Sequence, residues 1–244
     1  MTYFGTTNFD VELARGRITD MTEINKFGRN QDIDTTEEDV WDAGGTYVFS
    51  TSANISDIVS SNAGDTFDVE VEGLDTNWDE VTQTKALTGT TSVALDTPLL
   101  RVFRMKNVGT SAALGVIQCG VGSTTTSFSA ANLRAQITLG FEQTLMAIYT
   151  IPAGKKGLLK RLWSNINKSN SSGGLDAIFW ARSEGGVFRV QNTSGLIAAG
   201  NSRDEKLYSP MPTYAEKTDL RISGIGSTNN FDVSAGFDLY IADT

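Results

Sequence analysis

Apolar and polar residues alternate most regularly at the end of the chain. Phe231, Val233, Ala235, Phe237, Leu239 and Ile241 interleave with Asp232, Ser234, Gly236, Asp238, Tyr240 and Ala242. This period of two predicts a strand with one core face and one wet face. The same alternation over 67–72 places Phe67, Val69 and Val71 on one face and three carboxylates on the other. Segments 177–182 and 187–191 flank Ser183-Glu-Gly-Gly186, where glycine supplies the positive φ of a tight turn, so a β-hairpin is predicted. Further strands are predicted over 47–51, 81–87, 99–107, 114–121, 143–151, 157–167 and 220–222, roughly eleven in all, with few helices.

Short strands bounded by Gly, Ser, Thr and Asn predict an all-β protein, built as two β-sandwich or jelly-roll-like units or as one elaborated jelly roll. The polar stretch 122–131 has neither period. Residues 123–130 read as a linker between a unit at 46–122 and a unit at 131–244; a loop within one sandwich is the alternative. Residues 1–45 carry Phe4, Phe9, Ile18, Met21, Ile24, Phe27 and Trp41 at irregular spacing. They are expected to form an extended N-terminal arm lying on its own body or on a neighbouring subunit.

Composition narrows the chemistry. Twenty basic residues face twenty-nine acidic ones, a net charge of −9, with no basic stripe to attract nucleic acid. No apolar run is long enough to span a membrane. Met1 to Asp10 lacks the basic start and apolar stretch of a secretory leader, so none is expected. Cys119 is the single cysteine, so neither an internal disulfide nor a thiolate metal site can form. The chain has no histidine, which removes Ser-His and Cys-His mechanisms. Carboxylate-pair hydrolysis survives that test, but nothing singles out a pair. The expectation is a non-enzymatic protein with no catalytic residue and no cofactor.

Two acidic stretches have the spacing from which oxygen ligands for Ca²⁺ can converge. Asp32 and Asp34 are followed by Glu37 where an EF-hand loop needs its turning glycine. Asp75, Asn77 and Asp79 are followed by Glu80 at that place. The first therefore reads as a solvated or capping stretch and the second as a loop whose side chains bond their own backbone. Trp163 and Trp180 could stack on sugars, yet they sit in apolar segments and read first as core. Tyr208 to Tyr214, with Pro210 and Pro212, reads as a rigid loop able to contact a partner.

Several motifs stand in an order that resembles virion structural proteins of tailed phages, many of them aquatic. They are Lys26-Phe-Gly-Arg-Asn30, Asp32-Ile-Asp34, Glu38-Asp-Val-Trp41 and Gly44-Gly-Thr-Tyr47. Val69-Glu-Val-Glu-Gly-Leu-Asp-Thr-Asn-Trp78, Leu87-Thr-Gly-Thr-Thr91 and Tyr149-Thr-Ile-Pro-Ala-Gly-Lys155 continue the likeness. The resemblance implies a virion location after synthesis in the host cytoplasm, as a capsid decoration (cement) protein, often a homotrimer. Its partners would be other copies and the major capsid protein. A tail-fibre, receptor-binding or head-to-tail component is the alternative. Phe27, Arg29 and Trp41, residue types common at interface hot spots, become candidate subunit contacts together with Tyr208 and Tyr214. The competing reading tucks Phe27 and Trp41 under the intrachain core.

Overall fold

A computed structural model describes residues 8–169, 173–198 and 202–244. The described chain is antiparallel β with one short helix, α1 (Phe9–Ala14). The strands are β1 (Met21–Ile33), β2 (Glu38–Asp39), β3 (Ile55–Ser60), β4 (Asp68–Leu74), β5 (Glu80–Ala86), β6 (Val93–Leu99), β7 (Arg101–Asn107), β8 (Ile117–Val121) and β9 (Leu133–Ile137). Then follow β10 (Ile148–Thr150), β11 (Lys155–Ser169), β12 (Gly174–Arg182), β13 (Arg189–Ile197), β14 (Arg203–Leu207), β15 (Thr213–Tyr214), β16 (Asp219–Gly226) and β17 (Phe231–Asp243). None of the described helices is long and apolar enough to cross a membrane.

These strands make two β-sandwiches, one inserted into the other. The inserted sandwich packs the sheet β6-β3-β8-β9 against β5-β4-β7. The second uses both ends of the chain: β1-β17-β11-β14, with β15 also on β11, faces β10-β16-β12-β13, with β2 on β16. The predicted division at 46–122 and 131–244 is corrected accordingly. Residues 123–130 join β8 to β9, which pair directly, so they form a loop within one sheet and not a linker.

Residues 8–45 are integrated into this body; residues 1–7 of the expected arm lie outside the described residues. β1 pairs along its length with β17, from Met21 opposite Ala242 to Ile33 opposite Phe231. It is an edge strand of a sheet where an arm was expected. Asn8 caps α1 by accepting the amide of Asp10 at 3.0 Å, and Phe9 packs edge-on against Tyr240 at 5.3 Å. That contact ties the helix to β17.

The β17 alternation is seen as predicted on its core side, where all six apolar residues are buried. Its other side is only partly wet: Asp232, Ser234 and Ala242 are half-buried, while Asp238 and Tyr240 are buried because β17 is central and its neighbours' side chains cover them. Val69 and Val71 face the core of the inserted sandwich, and the 174–197 hairpin turns at Gly185 with φ +70°. Residues 47–51, expected as a strand, form no ladder, although Tyr47 is buried against Trp41.

The two cores interlock. Leu74 and Phe103 of the inserted sandwich belong to the apolar cluster of the other, while Trp41, Met146 and Ile148 cross in the opposite direction. Cys119 is fully buried among them, and burial pushes its thiol well up.

Candidate functional site

The junction between the sandwiches holds the densest buried polar chemistry. Asp219, 3% exposed at the start of β16, accepts from Arg101 Nε at 2.9 Å and a terminal Arg101 nitrogen at 3.1 Å. Arg182 reaches the same carboxylate at 2.5 and 3.0 Å, and the Thr150 hydroxyl donates to it at 2.6 Å. Arg101 is itself 4% exposed and also donates to the carbonyls of Ser50 and Leu100 at 2.6 and 2.9 Å. One carboxylate of one sandwich therefore neutralises a buried guanidinium of the other.

Around it, arginines and aromatic rings alternate. Arg101 lies 5.1 Å from the Trp78 ring centre and 5.3 Å from that of Phe49. Arg182 lies 4.9 Å from Phe49 and 4.4 Å from Phe188. Arg221 lies 4.8 Å from Phe188 and 5.2 Å from Trp180. Flat, weakly hydrated guanidinium groups suit such stacking, which desolvation strengthens. Arg221 is closed by Asp39 at 2.5 Å and Glu37 at 2.7 Å. Burial raises the Asp39 carboxyl above its usual range, against the pull of Arg221. None of this ladder was assigned from sequence. The available signal was a charged residue inside an apolar strand, as in Leu99-Leu-Arg-Val-Phe103 and Leu220-Arg-Ile222.

Elsewhere on the molecule, a cleft of about 500 Å³ lies between β1 and the β4–β5 hairpin. Lys26 lines it, 8% exposed, and donates to the Phe103 carbonyl across the junction. Burial, with Arg104 nearby, pushes the Lys26 ammonium down to about 7 despite Glu72. Glu72 and Glu80 also line the cleft, and Tyr149 donates to Glu80 at 3.5 Å.

The residues singled out from sequence are dispersed. Phe27 is half-buried on the outward face of β1. Arg29 binds Asp232 with two bonds, at 2.5 and 2.8 Å, and that bonding raises its pKa. Trp41, 4% exposed, sits in the interlocked core and donates to Gly45 O at 3.2 Å. Tyr214 is 8% exposed and packs edge-on to Phe179. Both are corrected from subunit contacts to intrachain packing, since neither offers surface to a partner. Tyr208 is half-buried, with Lys206 Nζ 5.0 Å from its ring centre.

Of the acidic candidates, the Asp34 and Asp75 carboxylates accept backbone amides. Asp34 accepts the amide of Asn230 at 3.1 Å, and Asp32 donates its own amide to Asn30. The Asp75 carboxylate accepts the amides of Asn77 and Asp79 at 2.7 and 3.1 Å, holding Trp78 at φ +67° beneath Arg101. Among the described residues, no group of three or more Cys, Asp or Glu side chains is placed to hold an ion. Trp163 and Trp180, read first as core, are half-buried on the outward faces of their sheets.

No protein-family model matches the chain, and no curated protein matches it. A solved structure with some likeness is that of infectious bursal disease virus Gt strain. It shows 12% identity and a TM-score of 0.25 over 96% of this chain and 78% of that one, a score that does not amount to a shared fold.

Proposed function

We propose that the chain is a non-enzymatic structural subunit of a tailed-phage virion, a capsid decoration protein that assembles as a homotrimer on the major capsid protein. The phage-like motifs of the sequence motivate the location. The observation that carries assembly is the pair of edge strands β13 and β14. Every residue of β14 is exposed, as are most of β13, with Ile197 at 67% and Leu207 at 71%. The two strands are joined through side chains, by Ser194 to Asp204 at 2.5 Å and Lys206 to Asn192 at 3.2 Å. Each stands at the end of its sheet, where peptide groups can pair with another chain. A rigid body with open edges adds stability to a shell by mass action when many copies bind.

Light scattering of the purified protein, followed by co-sedimentation with capsids lacking it, tests this reading. A trimer that saturates capsids supports it. A monomer that ignores capsids but adheres to host cells overturns it in favour of a tail-fibre or receptor-binding component, the reading favoured by the aromatic residues on the open face of the β1-β17-β11-β14 sheet.

A further inference from the structure

The outward face of the β1-β17-β11-β14 sheet is laid out in cross-strand rows. Asn25, Asp238, Arg161 and Leu207 form one row; Phe27, Gly236, Trp163 and Glu205 form the next; Arg29, Ser234, Asn165 and Arg203 form a third. In the middle row, glycine stands between two aromatic residues. A Cβ on Gly236 would lie 2.8 Å from two carbons of the Trp163 six-membered ring and 2.4 Å from the Lys26 carbonyl. The indole therefore lies down over the glycine, leaving a broad apolar surface along the sheet. Phe27 flanks it on the other side, and both rings are half-buried. A groove of about 400 Å³ runs over this row, lined by Asn25, Phe27, Arg161, Trp163, Asn165 and Arg203.

The charges around the groove are already matched. Arg161 faces Asp238 at 2.6 Å and Glu205 at 3.2 Å, and Arg203 faces Glu205 at 2.7 Å. An ionic ligand would have to break these pairs. A nucleic acid strand, which also stacks on aromatic rings, needs a basic groove that this face of a −9 chain does not offer. What fits is a neutral molecule with a flat apolar side and a hydroxyl rim, since hydroxyls both donate to and accept from amide, guanidinium and carboxylate groups.

We propose that the Phe27–Gly236–Trp163 row is a binding site for neutral oligosaccharides, with a pyranose ring stacked on Trp163 and its hydroxyls directed to Asn25, Arg161 and Asn165. The site goes beyond the assembly role and does not depend on where in a virion the chain sits.

The full-length protein is titrated with maltohexaose, cellohexaose, laminarihexaose, mannohexaose and chitohexaose, read by saturation-transfer NMR and tryptophan fluorescence. At least one should bind, and Trp163→Ala and Phe27→Ala should each weaken it by about tenfold or more, while Trp180→Phe on the other sheet leaves it unchanged. Circular dichroism and melting temperature establish folding; should Trp163→Ala misfold, Asn165→Ala should weaken binding several-fold. Absence of binding across the panel at about 10 mM, a standard free energy weaker than roughly −3 kcal/mol, overturns the proposal. So does binding that survives Trp163→Ala, or displacement of the sugar by heparin oligosaccharide or oligothymidylate.

Discussion

Replacing Asp219 with Asn tests whether the junction network fixes the two sandwiches together. The substitution keeps the shape but removes the charge shared by Arg101 and Arg182. Arg182, with a side chain 27% exposed, can turn to water, whereas the Arg101 side chain is 5% exposed and cannot. Leaving one partner of a buried pair uncompensated costs about 3–5 kcal/mol. For a chain of this length that corresponds to a melting temperature lower by roughly 6–20 °C. It is also a large fraction of the total stability of about 5–15 kcal/mol. Replacing both partners, Arg101→Leu with Asp219→Leu, removes the unpaired charge along with its counter-ion and should be less damaging than Asp219→Asn alone. Urea denaturation followed by tryptophan fluorescence measures both. A cost below about 1 kcal/mol for Asp219→Asn, or a double variant worse than the single, would refute the assignment of the network as the lock.

Other residues give separable predictions. Lys26 moves from 10.5 down to about 7 on folding, so the unfolded chain holds the extra proton between those values and stability should rise with pH across that window. Asp42 moves from 3.8 up to about 7 through burial, and its Oδ1 has no partner, so the native chain holds the extra proton and stability should fall as pH rises through that range. Melting curves against pH should show a minimum near neutrality, with Lys26→Met removing the upper limb and Asp42→Asn the lower. Trp41→Ala should cost about 3–5 kcal/mol in chemical denaturation; a surface contact residue would stay within about 0.5 kcal/mol. Gly28→Ala would place a Cβ 2.1 Å from the Val40 carbonyl and 2.4 Å from the Ala147 amide, both backbone, and should lower stability by about 3 kcal/mol, the upper end of the usual overpacking cost, read as melting temperature and soluble yield. Ile197→Lys with Leu207→Lys should abolish the oligomer in light scattering while leaving the melting temperature of the monomer unchanged.

Strands whose one face meets a continuous apolar core were legible in the chain. β17, β4 and β12 follow a local period of two, because each inward position meets the same kind of neighbour. β1 was not legible, for a physical reason. Its inward positions Lys26, Gly28 and Asn30 meet peptide groups at the junction, the carbonyls of Phe103, Val40 and Asp39 among them, so selection there favours a donor or the absence of a side chain over hydrophobicity. Trp163 was misread as core because a register shift between Leu159 and Arg161 changes the parity of β11, turning both Leu159 and Leu162 inward and Trp163 out. The insertion of one sandwich into the other leaves no local trace, and an arginine inside the apolar run 99–103 marks Arg101 as unusual without naming Asp219, 118 positions away, as its partner. Periodicity records what a strand packs against within a few residues. Which strands become neighbours, and which charges they bury together, was decided only when the chain ends closed on each other around the inserted sheets.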